Sequence, residues 1–201
     1  MSNHIFTVYG EVPELVEKKT KEIVNDYLGQ EIDDFNYVKY NLYESDLTPI
    51  IEETLTMPFF SDKKAIVVKN SYVFTGEKFS KDLNHNSDEL IKFLEKYDGE
   101  NLIIFEVYQS KLDERKKLTK TLKKNAQLKK IEQMSEKELK HWIKNTLNNN
   151  YKDIKQDALE LFIELTGVNY NIVSQELEKL ILFIGERPII CLLYTSDAAD
   201  E

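Results

Sequence analysis

Apolar and polar positions along the first two thirds of the chain follow two periods in turn. Short apolar runs predict strands, and longer stretches with apolar residues three and four positions apart predict amphipathic helices. The predicted strands are 4–9, 35–42, 65–68, 101–108 and 127–131, and the predicted helices are 13–28, 46–57, 87–97 and 112–124. Because strands alternate with helices, we expect an α/β domain with a largely parallel sheet.

The pattern becomes purely helical after about residue 133. Ser135 and Glu138 form a capping box that predicts the start of a helix. Two more helices follow, and the last has Asn171 as its N-cap and ends at Gly185. The chain therefore divides into an α/β domain at 1–133, a small all-α domain of three helices at 134–190 and a terminal segment at 191–201.

The terminal segment, CLLYTSDAADE, resembles the in-frame translation of a transposase mosaic-end adapter used for sequencing libraries. A processing scar of this kind does not belong in fold reasoning. We therefore predict that the native sequence is truncated after Ile190. Without the segment the chain loses three acids and its one cysteine, Cys191, and the net charge changes from −9 to −6.

Composition excludes several classes of function. No apolar run approaches the roughly 20 residues of a membrane span, and the start of the chain lacks a secretory apolar run, so we expect a cytoplasmic protein. One cysteine excludes a disulfide framework or a thiolate zinc site. The three histidines lie far apart, and no nucleophile elbow is present. We predict no catalytic site, no metal and no cofactor.

A phosphate-binding loop has its expected position but not its chemistry. The first strand ends at Gly10 and leads into a helix, where such a loop would lie. The loop then needs glycine, lysine and a hydroxyl residue, and the chain has Leu15, Val16 and Glu17 there. The fourth strand carries one carboxylate, Glu106, instead of an acidic pair. We therefore reject ATP hydrolysis and keep a nucleotide-binding enzyme only as an alternative for calorimetry to test.

The segment from Lys111 to Lys130 contains nine bases and two acids, in a protein that is otherwise acidic. Such a segment can follow a phosphate backbone. It can equally be the solvated face of a helix whose Leu118 and Leu122 point inward, and both interpretations stay open. The candidate DNA-binding residues are Lys116, Lys117, Lys120, Lys123 and Lys124.

The second predicted helix runs directly into Met57, Pro58, Phe59 and Phe60, and four polar residues follow. Pro58 ends the helix, because the residue before a proline avoids helical geometry. Two adjacent rings cannot point the same way, so we expect at least one to be exposed, as in a protein-docking site. The alternative is that both rings pack beneath the sheet as core.

Together these segments resemble one family, the delta subunit of bacterial DNA polymerase III. The resemblance rests on IFTVYGEVPELVEKK, TLTMPFFSDKKAIVVKN and NLIIFEVYQSKLDERKKLTKTLKKNA in the first domain. In the second it runs from MSEKELKHWIKNTLNNN through LTGVNYNIVSQELEKLILFIG. It extends over essentially all of 1–190 and depends on the order and spacing of these segments.

The resemblance implies an AAA+-like, RecA-type domain with a degenerate P-loop, then a three-helix lid, then a collar domain beyond Ile190. It implies a subunit that binds the sliding clamp, the beta subunit, and opens the ring for loading onto primed DNA in replication, without hydrolysing ATP. Phe59 and Phe60 would contact the clamp, and Met57 and Pro58 would shape the tip.

The family also implies further partners, namely the tau/gamma and delta prime subunits through the collar, and primer–template DNA in the assembled complex. The complete assembly would be a DNA-directed DNA polymerase, which is a nucleotidyltransferase, although this chain carries no catalytic site of its own. No membrane partner is expected. A DNA-binding adaptor without a clamp role remains a further alternative.

Overall fold

The computed structural model describes residues 4–29, 32–33, 35–58, 63–77, 85–132 and 134–192. The chain divides into two compact units, Met1–Glu132 and Gln133–Glu201. Most of the predicted adapter-derived segment, residues 193–201, lies outside the described residues. No helix in the described ranges is long and apolar enough to cross a lipid bilayer.

The first unit is built on a five-stranded sheet. Its strands are β1 (Ile5–Tyr9), β2 (Tyr37–Asn41), β3 (Ala65–Lys69), β4 (Leu102–Val107) and β5 (Gln127–Lys130). Their spatial order is β2-β3-β4-β1-β5, and all neighbours are parallel. Every residue of β4 is buried, as its continuous apolar run predicts for a strand inside a parallel sheet. The predicted α/β class and parallel sheet are therefore confirmed.

Helices cover both faces of this sheet. They are α1 (Pro13–Leu28), α2 (Leu47–Leu55), α3 (Ser87–Lys96) and α4 (Lys117–Asn125), with a one-turn 3-10 helix at Tyr72–Phe74. On one face, Val16 and Val24 of α1 share a core with Val8 and Ile104. The core on the other face joins α2, α3 and α4 to the sheet through Ile50, Leu90, Leu122 and Phe105.

Two helices are shorter than predicted by more than one residue. α2 ends at Leu55 instead of Met57, because Thr56 is already extended ahead of Pro58. Leu55 continues the apolar period of this helix, eight residues after Leu47, and we therefore expect it to be buried, but it is 62% exposed. α4 begins at Lys117 instead of residue 112, because the Asp113 carboxylate holds a local turn through hydrogen bonds from the backbone and guanidinium of Arg115.

The second unit contains the three expected helices, α5 (Glu136–Asn149), α6 (Gln156–Thr166) and α7 (Tyr170–Ile184). The capping box predicted at the start of α5 is present. α7 begins two residues early, because Asn169 and not Asn171 accepts the backbone N–H groups that open the helix. Two short parallel strands, β6 (Asp153–Ile154) and β7 (Ile189–Ile190), also form. The expectation of a purely helical unit is therefore wrong.

Candidate functional site

The loop after β1 closes against its own chain. The N–H of Gly10 donates to the carbonyl of Val107 over 3.0 Å, whereas a phosphate-binding loop offers such N–H groups to an anion. A Cβ on Gly10 would lie 2.8 Å from the carbonyl oxygen of Ile131. Glycine is therefore required here by the close approach of the backbone that leaves β5.

The three positions at which a phosphate-binding loop has its glycine, lysine and hydroxyl residue are in environments that do not suit phosphate binding. Val16 is completely buried against the sheet, so a lysine there would point into the core. Leu15 is half-buried. The Glu17 carboxylate lies 2.6 Å from the Lys69 ammonium. The structure thus brings the four residues of the predicted loop together and gives none of them a phosphate-binding geometry.

Two carboxylates beside this loop share one phenol. Glu106 on β4 is 1% exposed, and the Tyr108 hydroxyl donates to it over 2.7 Å and approaches Glu17 at 3.3 Å. Burial, and then the charges of both carboxylates, raise the pKa of Tyr108, so the phenol stays protonated and donates. Burial alone would raise the pKa of Glu17, but the hydrogen bond and charge of Lys69, with help from Tyr108, lower it overall.

This arrangement is an ion-pair network that ties α1 to the ends of β3 and β4. Within the described ranges, no group of three or more His, Cys, Asp or Glu side chains is arranged to hold a metal ion. The single carboxylate that the sequence offers on β4, Glu106, is instead committed to Tyr108.

The candidate clamp-binding residues follow the C-terminal end of α2. Phe59 and Phe60 lie outside the described residues. Met57 is 84% exposed, and Leu55, at the last position of the helix, is 62% exposed; Pro58 is partly exposed. Apolar side chains therefore meet solvent at the base of the predicted tip.

A groove of about 600 Å³ lies beside the base of the tip, between the end of α2 and the loop that precedes β4. Its wall includes Asn101, whose side-chain amide donates to the carbonyls of Thr54 and Thr56, both over 2.9 Å. The local sequence pattern does not single out Asn101. The one local signal is Pro58. A residue at this position would normally donate its N–H to the carbonyl of Thr54, four residues earlier, but proline has no N–H.

The candidate DNA-binding lysines lie on α4 and at its N-cap, but they differ in availability. Lys116 donates its ammonium to the carbonyl of Val73, and Lys123 pairs with Glu114. The buried side chains of Leu118 and Leu122 hold the opposite face of α4 against the core. The exposed lysines for which the described residues supply no ion pair are Lys117, Lys120 and Lys124.

Comparison with known proteins identifies relatives of both the sequence and the fold. Residues 6–132 match the family model described as DNA polymerase III, delta subunit. The chain is 31% identical over 188 residues to DNA polymerase III subunit delta of Bacillus subtilis. That alignment covers 94% of this chain and 54% of the relative, so the chain spans about half the relative's length.

Solved structures agree with this result. The DNA clamp loader delta protein YqeN of Bacillus subtilis superposes with a TM-score of 0.62 at 28% identity, covering 98% of this chain and 58% of that one. The RuvB Holliday junction branch migration motor of Thermotoga maritima superposes with a TM-score of 0.66 at 12% identity, covering 97% of this chain and 61% of that one. The second likeness concerns the fold alone and confirms the AAA+-like architecture. The matched family model, the Bacillus relative and the shared architecture together establish that this chain belongs to the DNA polymerase III delta subunit family.

Proposed function

We propose that this chain is the clamp-contacting part of a clamp-loader delta subunit, which binds the sliding clamp and opens its ring for loading onto primed DNA. Family membership supports the class of protein. The observation that carries the clamp contact is the exposure of Met57, 84%, two residues beyond the end of α2, whose Ile50 and Ile51 are buried. A fixed apolar projection of this kind is what a docking contact requires.

The mechanism needs binding energy and no bond chemistry. The tip formed by Met57, Pro58, Phe59 and Phe60 inserts into an apolar pocket of the clamp. Burial of each phenyl ring contributes about 1.5–3 kcal/mol. The clamp opens because the tip binds the open ring more tightly than the closed one, which shifts the equilibrium between them.

ATP acts through other subunits in this proposal. The committed Gly10 N–H and the buried Val16 support a chain that does not bind nucleotide itself. The contacts with the tau/gamma and delta prime subunits belong to the part of the longer relatives that this chain does not span. The three-helix unit is proposed as the lid of the same subunit.

The test is a titration of the purified chain with the sliding clamp of the same bacterium and, separately, with magnesium ATP. We expect clamp binding, faster release of the clamp from nicked circular DNA, and no heat of binding with ATP. Absence of clamp binding would overturn the proposal, and saturable ATP binding would favour the nucleotide-binding alternative.

The exposed lysines of α4 support a second role, contact with the DNA backbone in the assembled loader. Replacing Lys117, Lys120 and Lys124 with glutamine is expected to weaken binding to primer–template DNA. Each lost phosphate contact should make the dependence of log affinity on log salt shallower by about 0.9. Fluorescence anisotropy with labelled duplex at several salt concentrations measures both quantities.

The matched control replaces Lys18, Lys21 and Lys92, which are also exposed, with glutamine. It changes the net charge equally, so we expect a smaller loss of DNA affinity and an unchanged salt slope. Clamp affinity should be unaffected by either triple variant. An equal loss in both triples would show that α4 is only a solvated helix face.

A further inference from the structure

The C-terminal end of α2 has no left-handed glycine cap, although the Thr56 N–H donates to the carbonyl of Glu53 over 3.3 Å. The last four carbonyls of a helix have no partner within the helix, and a glycine in the left-handed conformation often closes such an end. Here the next residue is Thr56, which is extended (φ −81°, ψ 129°). The Thr56 hydroxyl serves the carbonyl of Glu52, so Thr54 still needs a donor. Pro58, four residues on, has no N–H to offer.

Asn101 supplies the missing donor from 47 residues away. Its side chain is 8% exposed, and its amide nitrogen donates to both Thr54 and Thr56 over 2.9 Å. Since both partners are carbonyl oxygens, only the nitrogen of the amide can make these bonds. The backbone carbonyl of Asn101 in turn accepts from the Tyr97 hydroxyl over 2.6 Å.

The residues that follow the tip along the chain, Lys63 and Lys64, also make contacts within the first unit. Lys64, which is 7% exposed, pairs with Glu53 of α2. Lys63 donates to the carbonyl of Tyr27 over 3.0 Å. The Tyr27 hydroxyl in turn donates to the carbonyl of Glu100, next to Asn101. Lys63 and Lys64 therefore tie the chain after the tip to α1 and α2, and Tyr27 joins α1 to the loop that precedes β4.

We propose that Asn101 is a positioning residue for clamp binding, which fixes the direction in which the chain leaves α2 through Thr56 and Met57. This inference rests on the proposed function of the tip. Asn101 need not touch the clamp. It acts by holding the carbonyls of Thr54 and Thr56, so that Met57 is presented in one orientation and less conformational entropy is lost on binding.

The test compares Asn101→Asp with Asn125→Asp. Asparagine 125 also donates its amide to a carbonyl of its own helix, that of Thr121 on α4 over 3.0 Å, so the same chemical change is made away from the tip. In Asn101→Asp a carboxylate faces two carbonyls, and the helix end opens. We expect clamp affinity to fall about tenfold in Asn101→Asp and to change less than about twofold in Asn125→Asp.

Two further readouts separate positioning from general stability. The chain has three methionines, so the methyl signal of Met57 can be assigned by NMR with Met57→Leu. It should shift in Asn101→Asp and not in Asn125→Asp. In a Phe60→Ala background, which weakens binding without abolishing it, Asn101→Asp should reduce clamp affinity less than in the unmodified chain, because less of the tip is left to position.

The outcomes distinguish the two proposals. If the Phe59→Ala/Phe60→Ala variant loses clamp binding but Asn101→Asp binds like the unmodified chain, the positioning role is wrong and the proposed function stands. If the phenylalanine variant binds normally, the proposed function itself fails. Should Asn101→Asp not fold, Asn101→Ala with Asn125→Ala as control repeats the comparison without a buried charge, and equal affinities for that pair overturn the positioning role.

Discussion

Replacing both Phe59 and Phe60 with alanine is expected to abolish measurable binding to the sliding clamp. Two phenyl rings that become buried on docking together contribute about 3–6 kcal/mol, and their loss weakens binding by on the order of a hundredfold or more. Surface plasmon resonance with immobilised clamp measures the change directly.

A matched control replaces Phe35 and Phe183, which are 62% and 52% exposed, with alanine. The same chemical change at phenylalanines outside the Met57–Phe60 segment should leave clamp affinity within about twofold. An equal loss of affinity in the two double variants would mean that docking depends on general surface apolarity and not on the tip.

The same tip variant tests the alternative that the rings are core. Removal of a buried phenylalanine costs about 3–5 kcal/mol, so a core pair would lower the free energy of unfolding severely. Exposed rings would leave it almost unchanged. Urea denaturation of the variant therefore decides between the two interpretations, and a large fall in the urea midpoint would remove the basis for the docking proposal.

Val16→Lys is expected to destabilise the first unit by roughly 3–5 kcal/mol without creating nucleotide binding. Val16 is 0% exposed, and it stands where a phosphate-binding loop would have its lysine. The new ammonium would enter the core between α1 and the sheet with no anion to meet it. Urea unfolding gives the stability change, and calorimetry with magnesium ATP gives the binding.

Glu14→Lys provides the control, because Glu14 is exposed one half-turn earlier on α1. It introduces the same side chain near the same loop, and we expect a change below about 1 kcal/mol from the loss of an acid in the first helical turn. A Val16→Lys variant that kept its stability and bound ATP would show that the loop is open after all.

Much of the architecture can be predicted from local sequence patterns. The continuous apolar run at 101–108 predicted a central parallel strand, and β4 is that strand. The capping box at Ser135 and Glu138 involves residues three apart, so it was visible without the fold. The absence of loop chemistry at Leu15, Val16 and Glu17 was equally readable, because it depends only on residue type.

Errors appeared where a local turn, a proline or a neighbouring cap residue overrode the apolar period. The apolar period predicts that Leu55 is buried, but the helix ends at this residue and its side chain is exposed. The basic helix was predicted from residue 112, but Asp113 and Arg115 form a turn first. Asn169 and not Asn171 is the N-cap of α7. Asparagine is a favoured N-cap residue at either position, so residue type alone could not distinguish between them.

Residue type and apolar period alone therefore predicted an α/β chain whose first loop lacks phosphate-binding side chains, since periodicity and side-chain chemistry are local properties. Three-dimensional packing was needed to reveal why Gly10 must be a glycine, which lysines of α4 are engaged, and that Asn101 holds the end of α2. These facts depend on contacts between segments dozens of residues apart, and such contacts exist only once the parallel sheet has brought β4, β5 and α2 together.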